Sequence, residues 1–376
     1  MFSPAHRSQI KQVATNKNQH FVPRCYLRPF SQEEEGKVIR LFNVDRLQVI
    51  ENAAVKHQCC GSYFYGNDEK LENAIQLLEQ AYAATLRNIR VASYKHLTPQ
   101  DEIVLKRFWL FQYLRTEAAS RRTVEMNNHL GEITKAGTSF MLGVREAVIM
   151  AMHAFVGAMQ VIDDLRVCLV KNLTGLPFIT SDDPAVLTNR WFLSDRRHLG
   201  RTFGLRSAGA LLVMPVTPKL VFIAYDPNVY AISKISGIAS TRKVSDVRSV
   251  NQLQFLNCRA NIFPGSNYDS AVLHDEYQSH KSRRLPTRHV LHYSVLDKVD
   301  GQYKRYRVVS SPGEVDHREA LVHVQTLFPK PDSWPIFLQW RRKGFGCTNG
   351  TGAGCIRHSQ IRSIDGPPFE KMYIRR

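Results

Sequence analysis

Apolar residues recur every three or four positions over 68–94, through Leu71, Ile75, Leu78, Tyr82, Leu86 and Ile89. This spacing gathers them on one face of a helix. Thr98-Pro99-Gln100-Asp101 opens a second helix. Thr98 can cap it, Pro99 suits the first helical position, and Asp101 meets the positive helix end. Val104, Phe108, Phe111 and Leu114 carry the pattern onward, and the helix is expected to run past Arg122. A third helix is predicted over 138–160. The period then changes. Residues 166–170 (RVCLV) and 177–180 (PFIT), with a turn at Thr174-Gly175, form a hairpin-like unit; 210–216 and 219–225 form another pair around Thr217-Pro218. Helical spacing returns over 247–261 through Val250, Leu253, Leu256 and Ala260, and Phe263-Pro264-Gly265 ends it. Ahead of the helices, 37–43 (KVIRLFN) alternates as a strand does, with a shorter strand near 62–65.

The fold class that follows is α+β: a helical middle region, then a mostly antiparallel sheet with a packed helix, then a basic, irregular C-terminal extension. We divide the chain into a flexible arm (1–17), a main domain (18–268), a basic appendage (269–340) with a hairpin over 290–296 and 303–309, and a tail (341–376). The tail is Gly-rich and lacks periodicity, which predicts flexibility.

Charge sharpens this division. Among 376 residues, 51 Lys and Arg face 33 Asp and Glu, a net +18. Residues 281–376 hold 18 of the bases and 8 of the acids, so this quarter of the chain carries +10. A polyanionic partner such as nucleic acid is therefore expected to meet the C-terminal region, where Trp334, Phe337 and Trp340 precede Arg341, Arg342 and Lys343. Seven scattered cysteines, two of them adjacent at Cys59 and Cys60, fit a reducing compartment. The first twenty residues hold no apolar signal core, and the most apolar window, 147–162, is short for a membrane span and contains His153 and Gln160. A core helix in a cytoplasmic protein is the expectation.

Most short motifs dissolve on inspection. The glycines of 344–354 lack the Lys-Ser/Thr of a phosphate loop and no strand precedes them. Cys347, Cys355 and His358 lack the paired spacing of a zinc knuckle.

Four positions remain. His20, in NQHFVPR, is stiffened by Pro23; it either transfers protons or anchors its loop. Arg115 ends an apolar helical run and is either an ion-pair partner or an anion clamp. Asp182 and Asp183, after PFIT and before Pro184, either share a divalent metal ion or shape a turn. Asn251 can position a ligand or cap a neighbouring element.

The segment NQHFVPRCYLRPF also resembles the opening (HxxP, then Tyr-Leu) of the mostly bacterial domain of unknown function 4238 family. Further agreement comes in order from Tyr63-Phe64-Tyr65, the helix with Glu72 and Glu79, Arg115-Thr116, PFITSDDP, the Pro215 and Pro218 strand pair and the helix of Asn251. The resemblance covers about 18–265, and Asp183 departs from a position more often asparagine. It implies an architecture without a reaction.

Three functions are consistent with these residues. In a phosphoester-directed hydrolase, nuclease-like or nucleotide-processing, His20 would move a proton, Arg115 bind phosphate, Asp182 orient His20 or hold a divalent ion, and Asn251 position substrate. That requires the four to converge in one cleft. A non-catalytic nucleic-acid-binding protein would use the basic C-terminal region. A structural or partner-binding protein would use the four residues only to hold the fold.

Overall fold

In a computed structural model the chain is described over residues 18–66, 68–91, 94–135, 141–301, 303–364 and 366–375. The expected arm over 1–17 and positions 138–140 of the expected third helix lie outside these residues.

β1 (Asn18–His20) pairs with β4 (Cys60–Ser62); between them lie α1 (Arg24–Leu27) and the hairpin of β2 (Val38–Asn43) and β3 (Gln48–Ala54). Four helices follow: α2 (Glu69–Arg90), α3 (Pro99–Arg115), α4 (Glu117–Thr134) and α5 (Val144–Ala158). The chain then runs through β5 (Arg166–Asn172), β6 (Thr180–Ser181), β7 (Val186–Thr188), α6 (Arg190–Ser194), β8 (Leu211–Thr217), β9 (Leu220–Tyr225), β10 (Tyr230–Ala231), β11 (Ile238–Thr241), α7 (Val244–Asn257), β12 (Asn261–Phe263) and α8 (Ser270–Lys281). A meander of β13 (His289–Asp300), β14 (Tyr303–Val309) and β15 (Ala320–Thr326) and three short strands, β16 (Gln339–Trp340), β17 (Phe345–Thr348) and β18 (Glu370–Tyr373), complete it. This is an α+β fold, and its sheets are mostly antiparallel.

The central sheet has the order β11-β5-β9-β8-β7, with β11 and β5 its parallel pair. Side chains alternate across it, as the two-residue period of a strand requires. Leu169, Leu212, Met214 and Phe222 meet α3 residues Leu105, Phe108 and Trp109 on one face. Val170, Val213, Val221 and Ile223 meet α7 residues Val247, Val250 and Leu253 on the other. Burial on both faces explains why 210–216 is apolar throughout.

Several expectations need correction. The helix opened at Thr98 is capped by Thr98 as expected, and Asp101 also closes a capping box with it, but the helix stops at Arg115. Thr116 is extended and its hydroxyl accepts from Ala119 N at 3.2 Å, so a new helix begins one residue later. A one-residue break hardly disturbs an apolar period. Strand β5 and the 177–180 segment form no hairpin: β5 pairs with β9 and β11, whereas β6 joins the sheet β3-β2-β12-β6. The helix expected to reach 261 ends at Asn257 and is followed by β12, and the short strand expected at 62–65 is β4, followed by a turn. Helix α5 is only half a core helix. Val148, Ala151 and Met152 are buried while Met150 and Val156 are 51% and 65% exposed.

The C-terminal tail is folded, contrary to its composition. Arg357 is 1% exposed and its Nε donates to Asp164 Oδ2 at 2.6 Å, with further bonds to the carbonyls of Leu205 and Val161. Two of the glycines serve packing there, Gly344 and Gly346: a Cβ on Gly346 would run into Ala208, and into Cys355 Sγ at 2.5 Å.

Candidate functional site

His20 ends β1 and lines a cleft of about 380 Å³ with Arg24, Cys25, Tyr65, Glu72 and Glu79. Its Nδ1 lies 3.0 Å from Gln58 O. A carbonyl can only accept, so the neutral ring carries its proton on Nδ1 and leaves the Nε2 lone pair free. Burial, helped by the charges of Arg24 and Arg115, lowers its pKa from the ordinary value, against the Gln58 bond. Cys25 beside it is no nucleophile at neutral pH. Burial, with Glu79 adding, pushes its thiol up to about 12.

Arg115 is wholly buried at the end of α3. Its Nη2 pairs with Glu79 at 2.7 Å, its Nε donates to Phe21 O at 3.0 Å, and its plane covers the Phe111 ring at 4.1 Å. Its Nη1 has no hydrogen-bond partner among the described residues. This is the ion-pair alternative: a guanidinium sealed from solvent and already matched to a carboxylate is not a clamp for an incoming phosphate.

Asp182 and Asp183 point to different partners. Asp182 accepts three backbone N–H groups, from Arg259, Ala260 and Asn261, at 2.8, 2.8 and 2.9 Å. Burial pushes its pKa up to about 6, against the pull of those bonds. Asp183 accepts from Thr116 Oγ1 and Arg122 Nη1, both at 2.7 Å. With both carboxylates occupied by protein donors, the arrangement fits the turn alternative for the two acids rather than a shared metal ion. Asn251 accepts from Ile179 N and donates to Pro177 O, each at 3.0 Å. It continues as a series: Gln254 bonds Ser181 and Pro184, and Asn257 bonds Asp183 O. Amides at 251, 254 and 257 share one helix face and hold the SDDP turn. That spacing was visible in the sequence and identifies the positioning role.

No hydrogen bond joins any two of His20, Arg115, Asp182 and Asn251. His20 and Arg115 are neighbours through Phe21; the other two belong to the SDDP turn and α7.

A different place is both open and charged. A cavity of about 320 Å³ lies between α4, α5, the start of β13 and the end of β15. Arg122 and Arg288 line it, with Asn257 and His289, and Leu187 and Phe328 supply apolar wall. Arg122 is the partner of Asp183. Arg288 donates through Nη2 to Leu256 O at 2.9 Å and Asn257 Oδ1 at 3.4 Å. Burial and then the charge of Arg122 press its pKa down to about 10, with Asp183 opposing. It remains a cation at neutral pH. Arg122 is thus paired with Asp183, whereas Arg288 bonds only α7 backbone and amide groups and feels the Asp183 charge at longer range. On the same side, ligand atoms of Glu125, His129 and His289 lie within 4.8 Å of one another, a set that suits a metal ion. None of these was singled out from sequence. Arg122 and Glu125 sit among ordinary helix charges, and Arg288-His289 lies some 160 residues away.

No curated protein and no solved structure matches the chain. A family model described as protein of unknown function (DUF4238) matches residues 18–267, two thirds of the length, in agreement with the HxxP and SDDP segments. His20, Arg115, Asp182 and Arg122 fall inside that match, and Arg288 and His289 outside it. By this match the chain belongs to the DUF4238 family.

Proposed function

We propose that the protein is a phosphoester-directed enzyme whose substrate phosphate sits against Arg122 and Arg288. The observation that carries this reading is the pair of guanidiniums on one cavity, Arg122 paired with Asp183 and Arg288 with no carboxylate of its own in hydrogen-bond reach among the described residues. Phosphate oxygens accept two N–H bonds from a guanidinium, and an anion offsets the repulsion between two neighbouring arginines. The apolar wall suits the uncharged part of a nucleotide-sized molecule. Titration calorimetry with inorganic phosphate, mononucleotides and short RNA and DNA tests this. Arg288→Met is expected to weaken the best binder by about 10- to 100-fold, the loss of one charged hydrogen-bonding group. Equal binding by Arg288→Met, or no binding by any of these anions, overturns the reading.

The His20 cleft supports a second reading, in which His20 Nε2 accepts a proton during the reaction. The Gln58 bond that fixes the tautomer favours it. The cleft itself is poor for phosphate, since Glu72 and Glu79 line it.

A further inference from the structure

Helix α4 presents Glu125 and His129 one turn apart, so both lie on the same face. The first residue of β13, His289, comes against them from the C-terminal sheet. His129 Nδ1 and His289 Nε2 face each other at 2.8 Å, and the Glu125 carboxylate completes a set whose ligand atoms lie within 4.8 Å. We propose that Glu125, His129 and His289 form a binding site for one divalent ion of the zinc type.

Two imidazole nitrogens and one carboxylate oxygen are a common zinc donor set, and three protein ligands leave a coordination position for water or substrate. The other nitrogen of His289, Nδ1, lies 3.3 Å from Thr287 Oγ1. When Nδ1 donates there, Nε2 carries the lone pair that a metal needs. The geometry asks for small movements. Zinc–nitrogen bonds of about 2.05 Å at a tetrahedral angle put two nitrogens about 3.3 Å apart. The imidazoles must therefore separate by roughly 0.5 Å, and Glu125 must close in by about 1.5 Å at most. His129 is exposed and Glu125 half-buried, so both side chains have room to turn.

The position gives the ion a use. His289 lines the cavity that Arg288, its neighbour in sequence, also lines. An ion on this wall would polarise an oxygen of a phosphate held by the guanidiniums and lower the pKa of a bound water. That use rests on the phosphoester reading; the site itself does not. His289 also lies beyond the stretch matched by the family, so the third ligand is a contribution of the C-terminal region.

The test is metal binding by the full chain, stripped with chelator and titrated with Zn²⁺ in the absence of phosphate. One equivalent is expected, and Co²⁺ in its place should give the visible bands of a four- or five-coordinate ion. His129→Ala and Glu125→Gln, at accessible positions, should each weaken binding at least tenfold, and Thr287→Val about tenfold. Arg288→Met should keep the full zinc stoichiometry while losing phosphate, which separates failure of the metal site from failure of the anion pocket. Two results overturn the proposal. One is no stoichiometric binding at micromolar zinc. The other is unchanged affinity in His129→Ala and Glu125→Gln, which would leave the two histidines as a simple hydrogen-bonded pair.

Discussion

The SDDP turn and the α4–β13 cavity treat buried charge in opposite ways. At the turn, donors and acceptors are closely matched. Asp182 takes three N–H groups, and Asn251, Gln254 and Asn257 each bond the backbone that surrounds it. At the cavity, two guanidiniums line open space, and only Arg122 has a carboxylate partner, Asp183. Both regions contain residue types that chemistry uses. The difference is that the turn spends its polar groups on the fold, whereas the cavity retains capacity for a ligand. Asp183 belongs to both: its backbone carbonyl is held by Asn257 and its side chain by Thr116 and Arg122.

The largest expected effect is on the saturated side. Asp182→Ala strands three buried backbone donors and should cost about 4 kcal/mol of stability in urea unfolding. A loss below about 1 kcal/mol would erase the contrast between the two regions. Next comes an asymmetry within the cavity. Arg122→Met leaves Asp183 buried without its cation and should cost about 3 kcal/mol. Arg288→Met relieves a repulsion and should stay within about 1 kcal/mol of wild type. Equal losses would mean that both arginines serve the fold.

A pH series sharpens the same contrast. The Asp182 carboxyl titrates at about 6 in the folded chain, above its ordinary 3.8. The folded state therefore holds the proton more tightly than the unfolded state does. Stability from this group is full below pH 3.8 and is lost as pH rises through about 6. The stability difference between wild type and Asp182→Asn should shrink across that window. A difference that stays flat or grows would show that the three N–H bonds outweigh desolvation.

Much of the scaffold was legible because it depends on local rules. The Thr98 capping box, the α2 face and the β8–β9 pair follow from spacing and cap chemistry alone. The misreadings share a cause: they concern where an element goes. The period of 177–180 says strand, but the segment bonds Asn251, seventy residues on, and its strand pairs with β12 rather than β5. Glycines and positive charge in 341–376 say flexible, but Arg357 finds Asp164 nearly two hundred residues back. The site suffered in the same way. His20 and Asp182 drew attention through local context, whereas Arg122 and Arg288 become a pair only through the fold. Of the C-terminal charge, Arg284, Arg288 and Arg357 bond the protein itself, so the +10 overstates what is free for a polyanion.

The smallest expected effect on the fold is at His20. His20→Gln keeps a side-chain donor near Gln58 O and should change stability by less than about 1 kcal/mol. Its effect on turnover divides the two readings of the cleft. The ring is neutral above a pKa already lowered by burial, so as a base it would keep working at mildly acidic pH. If His20 takes the proton, wild type should show an acid limb below pH 6.5 in kcat/KM, and His20→Gln should lose about 100-fold or more together with that limb. If His20 only anchors its loop, His20→Gln should keep both the rate and the profile. Activity that needs Arg288 and ignores His20 would then place the chemistry wholly at the α4–β13 cavity.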